Sequence, residues 1–354
     1  FSRFNKSGTI FLMPIPETSD IHSPDDNQNP ERNTQARLPL EPMDPQLKDI
    51  QPGSGVIIHL ELAWGYFRRF YLNLFRRGYV ARMKELRKGD YNPCPFDVLD
   101  PRDLKIYQNQ GGWHWDKKDD PFTWRDHLPF VRVGLAELIV FSAITFGPAI
   151  FLSWLLTGSS FPFIWKTVLW LVAVALYVIG ILIAWFFRNP NRKVPEGEGV
   201  VVSPADGKVV LIEEIEHDEF IGGPAILIGI FLSIFNVHIN RTPISARIIG
   251  LRYKPGKYLN ALRPESAREN EQVAIRMEGN SFPHRRMIVR QITGAIARRI
   301  VTIIRPGNEL EKGESVGMIK LGSRTELILP KEEGLKIITE IGQKVQAGSS
   351  ILAE

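Results

Sequence analysis

Residues 318–330 read MIKLGSRTELILP, and this stretch decides how the C-terminal part of the chain folds. Apolar and β-branched residues lie on both sides of Gly322 and Ser323, a pattern that predicts one strand, a two-residue break and a second strand. Glycine and serine are ordinary turn residues, so a turn would explain this pair without any chemistry. A chemical role for Ser323 would need a base elsewhere in the chain and a reason for glycine to precede it.

Short apolar runs of the same kind continue through residues 196–354, where Gly, Pro and Asn separate them. This pattern is typical of a mainly β domain of the α+β class, which we place at residues 191–354. The spacing G-x-x-(L/V)-x-x-G-x-x-(V/I) occurs at 307–316 and again at 342–351. The repeat predicts two β-hairpins related by pseudo-symmetry, and it carries no chemistry of its own.

Two long runs before this domain, 138–156 and 167–187, contain no charged residue. Each is close to the about 20 residues that an α-helix needs to cross a bilayer, so together they predict a transmembrane helical hairpin within residues 132–190. Arginines and lysines flank the hairpin on both sides, whereas the loop between the runs carries only Lys166. The positive-inside rule therefore predicts that the soluble parts on both sides of the hairpin, including residues 191–354, lie in the cytoplasm. We expect the membrane to be a cell membrane of the bacterial inner-membrane type.

The N-terminal part of the chain divides into two segments of different composition. Residues 1–54 are rich in Pro, Asp, Asn, Gln and Ser and lack hydrophobic periodicity, which predicts a disordered segment. Residues 55–131 interleave aromatic residues with arginines, and helical spacing places Trp64, Phe67 and Tyr71 near one face. Two interpretations stay open: an amphipathic helix on an anionic membrane surface, or a basic helix packed against its own protein.

Charge and cysteine content limit the kinds of partner and site that the chain can have. The 354 residues carry a formal net charge of +5, which favours an anionic partner such as an acidic lipid. Basic residues interleaved with aromatic ones can also bind nucleic acid, but no recognised module follows them, so we expect no nucleic-acid partner. Cys94 is the only cysteine, which excludes an intrachain disulfide and a site built from several thiolates. We expect no metal in the chemistry.

Three short stretches of the β domain supply the groups that activate a serine. Asp206 lies in SPADGK, His238 lies in FNVHINRTP, and Ser323 lies in LGSR. They provide an acid to orient an imidazole, a base and a hydroxyl nucleophile. Each alone has a plain structural explanation, as a turn aspartate, a core histidine and a turn serine. A membrane-anchored serine hydrolase using these three residues is one interpretation, although the chain lacks a G-x-S-x-G elbow.

The glycine before the serine favours a different use of the hydroxyl, namely attack on the protein's own backbone. Glycine has the least hindered carbonyl and tolerates strained backbone conformations most easily. Attack of Ser323 on the Gly322 carbonyl would convert the peptide bond into an ester, with His238 taking the proton and Asp206 orienting the ring. β-Elimination would then break the ester and leave a dehydroalanine, which hydrolyses to a pyruvoyl group at position 323.

Residues 186–330 resemble the phosphatidylserine decarboxylases, pyruvoyl-dependent membrane enzymes that are made as self-cleaving proenzymes. The resemblance rests on six ordered motifs: FFRNPNRKVP (186–195), VVSPADGKV (201–209), FNVHINRTP (235–243), YKPGKYLNALRPESARENE (253–271), VRQITGAIARRIV (289–301) and EKGESVGMIKLGSRTELILP (311–330). The Gly-Ser-Arg junction is similar to the shorter, archaeal-type branch. Two positions depart from many relatives: Phe235 stands where they have a second histidine, and Gln272 where they have an arginine.

The resemblance also implies a complete reaction. Cleavage between Gly322 and Ser323 would give chains 1–322 and 323–354, which stay together as a heterodimer. The covalent cofactor would be a pyruvoyl group formed from Ser323. It would form a Schiff base with membrane phosphatidylserine, release carbon dioxide and yield phosphatidylethanolamine, with His238 supplying a proton. Assembly into a homo-oligomer is left open. Candidate headgroup contacts are Arg241, Lys254, Lys257 and Arg324.

Overall fold

The computed structural model describes residues 37–53, 55–197, 199–295, 299–320 and 322–354. The predicted disordered segment 1–54 is wrong for its last part, because residues 37–53 pack into the β domain. Leu47 and Ile50 are buried there, and the Glu41 backbone N–H donates a hydrogen bond to the Ile249 carbonyl at 2.9 Å. Ion pairs of Glu41 with Arg252 and Arg276 hold the same stretch. The earlier part of the prediction lies outside the described residues.

Within the described residues, five α-helices and four 3₁₀-helices precede or interrupt the β domain. The α-helices are α1 (Val56–Phe75), α2 (Arg77–Leu86), α3 (Leu135–Thr157), α4 (Phe163–Phe186) and α5 (Ser266–Glu269). The 3₁₀-helices are Pro101–Gln110, Lys117–Asp119, Thr123–His127 and Arg132–Gly134. The basic and aromatic segment is thus helical at its start and made of short turns afterwards.

Helices α3 and α4 pack against each other and are long and apolar enough to cross a membrane. They meet closely at Gly180, where an added Cβ would lie 2.6 Å from the Phe146 ring. Their outward side chains are apolar and uncovered, as at Phe163 and Ile164, which are 84% and 72% exposed. An uncovered apolar surface of this size indicates membrane association.

Thirteen strands form the rest of the described domain, which is α+β with antiparallel pairing. They are β1 (Val201–Val202), β2 (Gly207–Asp218), β3 (Gly223–Leu232), β4 (Ile239–Arg241), β5 (Ala246–Lys254), β6 (Gln272–Gly279), β7 (Arg286–Ile292), β8 (Arg299–Thr302), β9 (Glu309–Leu310), β10 (Ser315–Lys320), β11 (Ser323–Pro330), β12 (Lys344–Val345) and β13 (Ile351–Ala353). A curled eight-stranded sheet has the order β12-β2-β3-β11-β7-β6-β5-β9, beside a three-stranded sheet β4-β10-β8 and the pair β1-β13.

The stretch MIKLGSRTELILP forms two strands, as its pattern predicts, but they belong to different sheets. Strand β10 pairs with β4 and β8, whereas β11 lies in the middle of the large sheet between β3 and β7. Leu327 is opposite both Ile228 and Val289, and all three side chains are fully buried. Gly322 is therefore the corner where the chain leaves one sheet and enters the other.

The two copies of the glycine-spaced repeat adopt similar local conformations. Gly307 and Gly313 have φ angles of 90° and 82°, and their counterparts Gly342 and Gly348 have 98° and 71°. Each copy contains a two-residue strand, β9 in the first and β12 in the second. Left-handed backbone at matching positions explains why glycine recurs there. The pseudo-symmetric relation between whole hairpins stays a prediction.

Candidate active site

The junction between Gly322 and Ser323 is buried and conformationally special. Gly322 has a φ of 60°, in the left-handed region that glycine enters at little cost. Ser323 opens β11 and has no exposed surface, and its Oγ has no hydrogen-bond partner among the described residues. Leaving a buried hydroxyl unpaired costs about 1–3 kcal/mol. A site that tolerates this cost keeps the hydroxyl available for chemistry.

His238 lies immediately before β4 and faces this junction. Its Nε2 accepts a hydrogen bond from the backbone N–H of Gly322 at 3.1 Å, and its Nδ1 is 2.9 Å from the Asn236 carbonyl oxygen. A carbonyl can only accept, so Nδ1 carries the proton and Nε2 presents its lone pair to the junction. The pKa of His238 is lowered to about 4, mainly by burial and in smaller part by the nearby charge of Arg188, while the hydrogen bond to Asn236 opposes this shift. The imidazole is therefore neutral at pH 7 and able to accept a proton.

Asp206 has partners other than this imidazole. Its carboxylate accepts hydrogen bonds from Nη2 of Arg192 at 2.7 and 3.0 Å and from the Ala347 N–H at 2.8 Å. Among the described residues the Asn236 carbonyl, and not Asp206, holds the ring of His238 through Nδ1. In this structure Asp206 joins the SPADGK turn to the segments before and after the large sheet. Its catalytic role stays a prediction.

Gly294, to which the sequence assigned no role, approaches the junction more closely than any side chain could. A Cβ added at residue 294 would lie 2.2 Å from the carbonyl oxygen of Gly322 and 3.1 Å from its carbonyl carbon. Backbone therefore lines one side of the bond that the sequence predicts to break. A glycine that follows a strand run, here in QITGA, is a signal for such a close approach, although it does not identify what approaches.

Glu271 is a buried residue near the junction whose role could not be predicted from its motif. Arg324, Ile292 and Gln272 are paired in register across β11, β7 and β6, so the adjoining row of the sheet contains Ser323 and Glu271. The Glu271 carboxyl is 1% exposed, and Tyr253 Oη donates a hydrogen bond to it at 3.4 Å. Burial raises the pKa of Glu271. The sheet thus places a carboxyl with a raised pKa in the same row as Ser323.

Two of the four candidate headgroup contacts, Arg241 and Arg324, bind other groups within the protein. Arg241 donates hydrogen bonds to the Gly313 carbonyl at 2.8 Å and to the Asn189 side chain at 2.9 Å. Arg324 is 5% exposed and pairs with Glu326 at 2.9 Å. These arginines stabilise turns and strands, and binding of a headgroup by either one stays a prediction.

The two lysines lie at the surface near α5. Lys254 donates a hydrogen bond to the Arg268 carbonyl at 2.7 Å, and Lys257 pairs with Glu269 at 2.8 Å. Both side chains are exposed, and surface ion pairs of this kind exchange readily with other partners because they contribute little free energy. Headgroup binding by Lys254 and Lys257 also stays a prediction.

An apolar pocket of about 390 Å³ lies beside His238, between the helical hairpin and the β domain. Its walls come from α3, α4 and the loop after β3, and include Phe141, Leu182 and Phe235. Phe186 also lines it, and the Phe186 ring centroid is 4.7 Å from that of His238. Lys320 and Glu137 add an ion pair to this lining. The pocket therefore lies between the apolar helices and the β domain, and its wall at Phe186 is in contact with His238.

Comparison with known proteins identifies relatives of one kind. A family model described as phosphatidylserine decarboxylase matches residues 179–353. A phosphatidylserine decarboxylase proenzyme from Rhodopirellula baltica is 50% identical over 250 residues, which is 71% of this chain and 98% of the relative. Proteins of the same name from Syntrophus aciditrophicus and Carboxydothermus hydrogenoformans are 38% and 41% identical, over 66% and 52% of this chain and 98% and 84% of theirs.

Proposed function

The chain belongs to the phosphatidylserine decarboxylase family and is a decarboxylase, and on this premise we propose that it makes phosphatidylethanolamine with a pyruvoyl group formed from its own Ser323. One observation carries the proposal. The unpaired hydroxyl of Ser323 follows a left-handed Gly322 whose N–H is bonded to the neutral ring of His238. The sequence Gly-Ser-Arg supports placing the chain in the shorter, archaeal-type branch.

Self-cleavage would proceed in three steps. Ser323 Oγ would bond to the Gly322 carbonyl carbon and give its proton to His238, which would pass that proton to the Ser323 nitrogen as the C–N bond breaks, leaving an ester and a free amine. Loss of the Ser323 Cα proton then breaks the Cβ–Oγ bond, and Gly322 leaves as a carboxylate. The remaining enamine becomes an imine, and one water molecule replaces its nitrogen, which departs as ammonia.

The residues around the junction support each role. His238 would be the general base because its neutral Nε2 lies 3.1 Å from the nitrogen of Gly322, the residue whose carbonyl carbon would be attacked. Asn236 orients the ring through Nδ1. The left-handed conformation of Gly322 turns the chain sharply at the bond under attack, and Gly294 leaves room for the carbonyl oxygen to sit against backbone.

The same residues suit a pyruvoyl group at position 323, since the unpaired hydroxyl marks buried space that holds a polar group. Such a group supplies a ketone that condenses with the substrate amine and takes up electrons as carbon dioxide leaves. The apolar pocket beside Phe186 would accept acyl chains of phosphatidylserine. His238 would deliver a proton from within the same buried space.

Pairing within the sheet supports a heterodimer of chains 1–322 and 323–354 after cleavage. Strand β11 would be held on both sides, by β3 and by β7. The other two strands of the small chain, β12 and β13, pair with β2 and β1 of the large chain. Breaking one bond at the corner therefore leaves every strand of the small chain in place.

The helical hairpin would hold this site at its lipid substrate. Its exposed apolar helices suit a bilayer, and its basic flanks favour a cytoplasmic catalytic domain that attracts anionic lipid. The pocket between α4 and the β domain would open where the two meet. Substrate could then enter without leaving the membrane.

The intact mass of the purified full chain tests the proposal. We expect wild type to separate into two chains under denaturing conditions, the smaller beginning with a ketone at position 323, and Ser323→Ala to stay whole and inactive. Ser281→Ala, at an exposed serine, is the matched control and should split normally. A wild-type preparation that remains one chain yet decarboxylates phosphatidylserine would refute the proposal. An uncleaved chain that hydrolyses esters through Ser323 would favour the serine hydrolase instead.

A further inference from the structure

Helix α1 buries one face and leaves an apolar face uncovered, which is unusual for a helix of a water-soluble protein. Its buried residues are Ile58, Gly65, Arg69 and Leu72, whose spacing of seven, four and three places them on one face. The opposite face is apolar and uncovered. Its members are Val56, Leu60, Trp64, Phe67, Phe70, Tyr71 and Leu74. We call these seven residues the α1 aromatic face.

The orientation of α1 is fixed by polar contacts on the buried side. Arg69 is 7% exposed and pairs with Asp103 at 3.1 Å, and its guanidinium carbon lies 3.8 Å from the centroid of the Phe96 ring. Glu61 pairs with Lys105 at 2.5 Å. Rotating the helix to bury the aromatic face would break these ion pairs and leave the buried Asp103 carboxylate without the cation of Arg69, which is costly.

We propose that the α1 aromatic face lies in the interfacial zone of the membrane that α3 and α4 cross, with the axis of α1 along the membrane surface. Two observations favour a bilayer as the occupant. Helix α1 approaches α3, so the aromatic face belongs to a helix that lies next to the uncovered apolar hairpin. Trp64 and Tyr71 also have the apolar body and polar tip that suit the headgroup level.

The basic residues that follow α1, at its end and in α2, also favour an anionic membrane as the partner of the aromatic face. Arg76, Arg77, Arg82 and Lys84 are exposed and follow the aromatic face directly. A helix that combines apolar residues on one side with a cluster of cations binds anionic membranes by both means. This inference goes beyond the proposed reaction, since it concerns a surface that the chemistry at Ser323 does not use.

Spin-label accessibility tests the position of α1. In a Cys94→Ala background, single cysteines replace Phe67 or Phe70 on the aromatic face, Asn73 on the same helix, and Asp90 as a water-exposed control. The full chain is reconstituted in vesicles of phosphatidylcholine and phosphatidylglycerol. We expect labels at 67 and 70 to collide with oxygen in preference to a water-soluble nickel chelate, and the label at 90 to show the reverse, with 73 between them.

Two outcomes would overturn the inference. Labels at 67 and 70 that are as open to nickel as the label at 90 would place the face in water. Protection from both reagents would place it against a second copy of the chain. Thermal melting of each labelled protein shows that it is folded, so that neither outcome can come from misfolding.

A kinetic measurement separates this inference from the proposed reaction. We expect Phe67→Glu/Phe70→Glu to lower activity toward phosphatidylserine in vesicles by about tenfold, because two carboxylates replace membrane-facing rings. Activity toward a short-chain phosphatidylserine dissolved in detergent should be unchanged, since the site at Ser323 is intact. Equal losses on both substrates would contradict an interfacial role, whereas failure of the proposed reaction would abolish both activities in wild type too.

Discussion

The β domain and the helical hairpin are both rich in apolar residues, and they differ in where those residues point. In the sheet, Ile228, Val289 and Leu327 have no exposed surface. In α4, Ile164 and Leu171 are 72% and 65% exposed. One chain therefore contains two kinds of apolar region. The apolar side chains of the β domain pack in a protein interior, whereas those of the hairpin need apolar surroundings outside the protein.

The glycines of the two regions show the same difference at atomic scale. Gly294, at the end of β7, has the carbonyl oxygen of Gly322 2.2 Å from the position of a Cβ, whereas Gly147 in α3 has nothing within 4 Å. Space is therefore limiting beside the Gly322–Ser323 junction and abundant on the outer face of the hairpin.

The largest expected effect is on self-cleavage. Gly294→Ala would place a methyl group where the Gly322 carbonyl oxygen lies, and a displacement of about 1 Å at a reacting atom can cost about 100-fold in rate. We expect the variant to remain a single chain for at least about 100 times longer than wild type. Gly147→Ala, the matched control, should cleave at the wild-type rate. The measurement is the fraction of intact chain over time.

The folding of these variants needs its own readout. Circular dichroism and thermal melting in detergent would show whether Gly294→Ala keeps the β domain. A folded Gly294→Ala protein that cleaves as fast as wild type would show that the close approach to Gly322 has no part in the chemistry. The contrast between the two regions would then concern packing alone.

Much of the difference between the β domain and the hairpin could be predicted from the sequence, because it depends on residue types and on the spacing of apolar residues. Two uncharged runs of membrane-crossing length gave the hairpin, and short β-branched runs gave the strands. Strand pairing could not be predicted, since β11 pairs with β3 and β7, which lie far away along the chain. The order of residues 37–53 was missed for a related reason: Leu47 and Ile50 find their partners only in the folded β domain.

The candidate site was likewise predictable from the sequence only in part. The sequence brings His238 and the Gly322–Ser323 junction into one hypothesis, and the structure places His238 Nε2 3.1 Å from the Gly322 nitrogen. The group that orients the imidazole could not be predicted, because it is the backbone carbonyl of Asn236 and a backbone carbonyl has no residue signature. Asp206 was the natural expectation, yet Arg192 holds its carboxylate.

The next effect concerns an ion pair that joins the two regions. Lys320 lies at the end of β10 and binds Glu137 at the start of α3 as well as Gln51 Oε1 at 2.7 Å. Both charged side chains are largely buried. Lys320→Met would leave the Glu137 carboxylate buried and unpaired, and we expect the free energy of unfolding to fall by about 3–5 kcal/mol.

Two further variants make that expectation specific. Adding Glu137→Gln to Lys320→Met removes the orphaned charge and should recover most of the lost stability. Lys331→Met breaks an exposed pair with Glu214 and should cost no more than about 1 kcal/mol. Denaturant unfolding in detergent measures all of these. Equal losses for Lys320→Met and Lys331→Met would mean that the hairpin and the β domain are not coupled through this pair.

The smallest effect is a pH dependence confined to the β domain. Burial lowers the pKa of His238 to about 4 from an ordinary value of 6.5, so the unfolded chain binds a proton that the folded chain does not across this window. Stability from this group is complete above pH 6.5 and is lost as the pH falls toward 4, by at most about 1.4 kcal/mol per pH unit. Self-cleavage, which needs the neutral ring, should stay level from about pH 8 down to about pH 5.5.

Histidine variants made in a protein that cannot cleave show how much of the pH dependence of stability comes from His238. In Ser323→Ala protein, His238→Asn should flatten the dependence of stability on pH between 6.5 and 4, while His217→Asn, at an exposed histidine of β2, should leave it unchanged. Denaturant midpoints across that range give the slopes. If His238→Asn and His217→Asn had the same slope, His238 would be titrating as a solvated group. The close-packed interior that distinguishes the β domain from the hairpin would then not extend to the reactive junction.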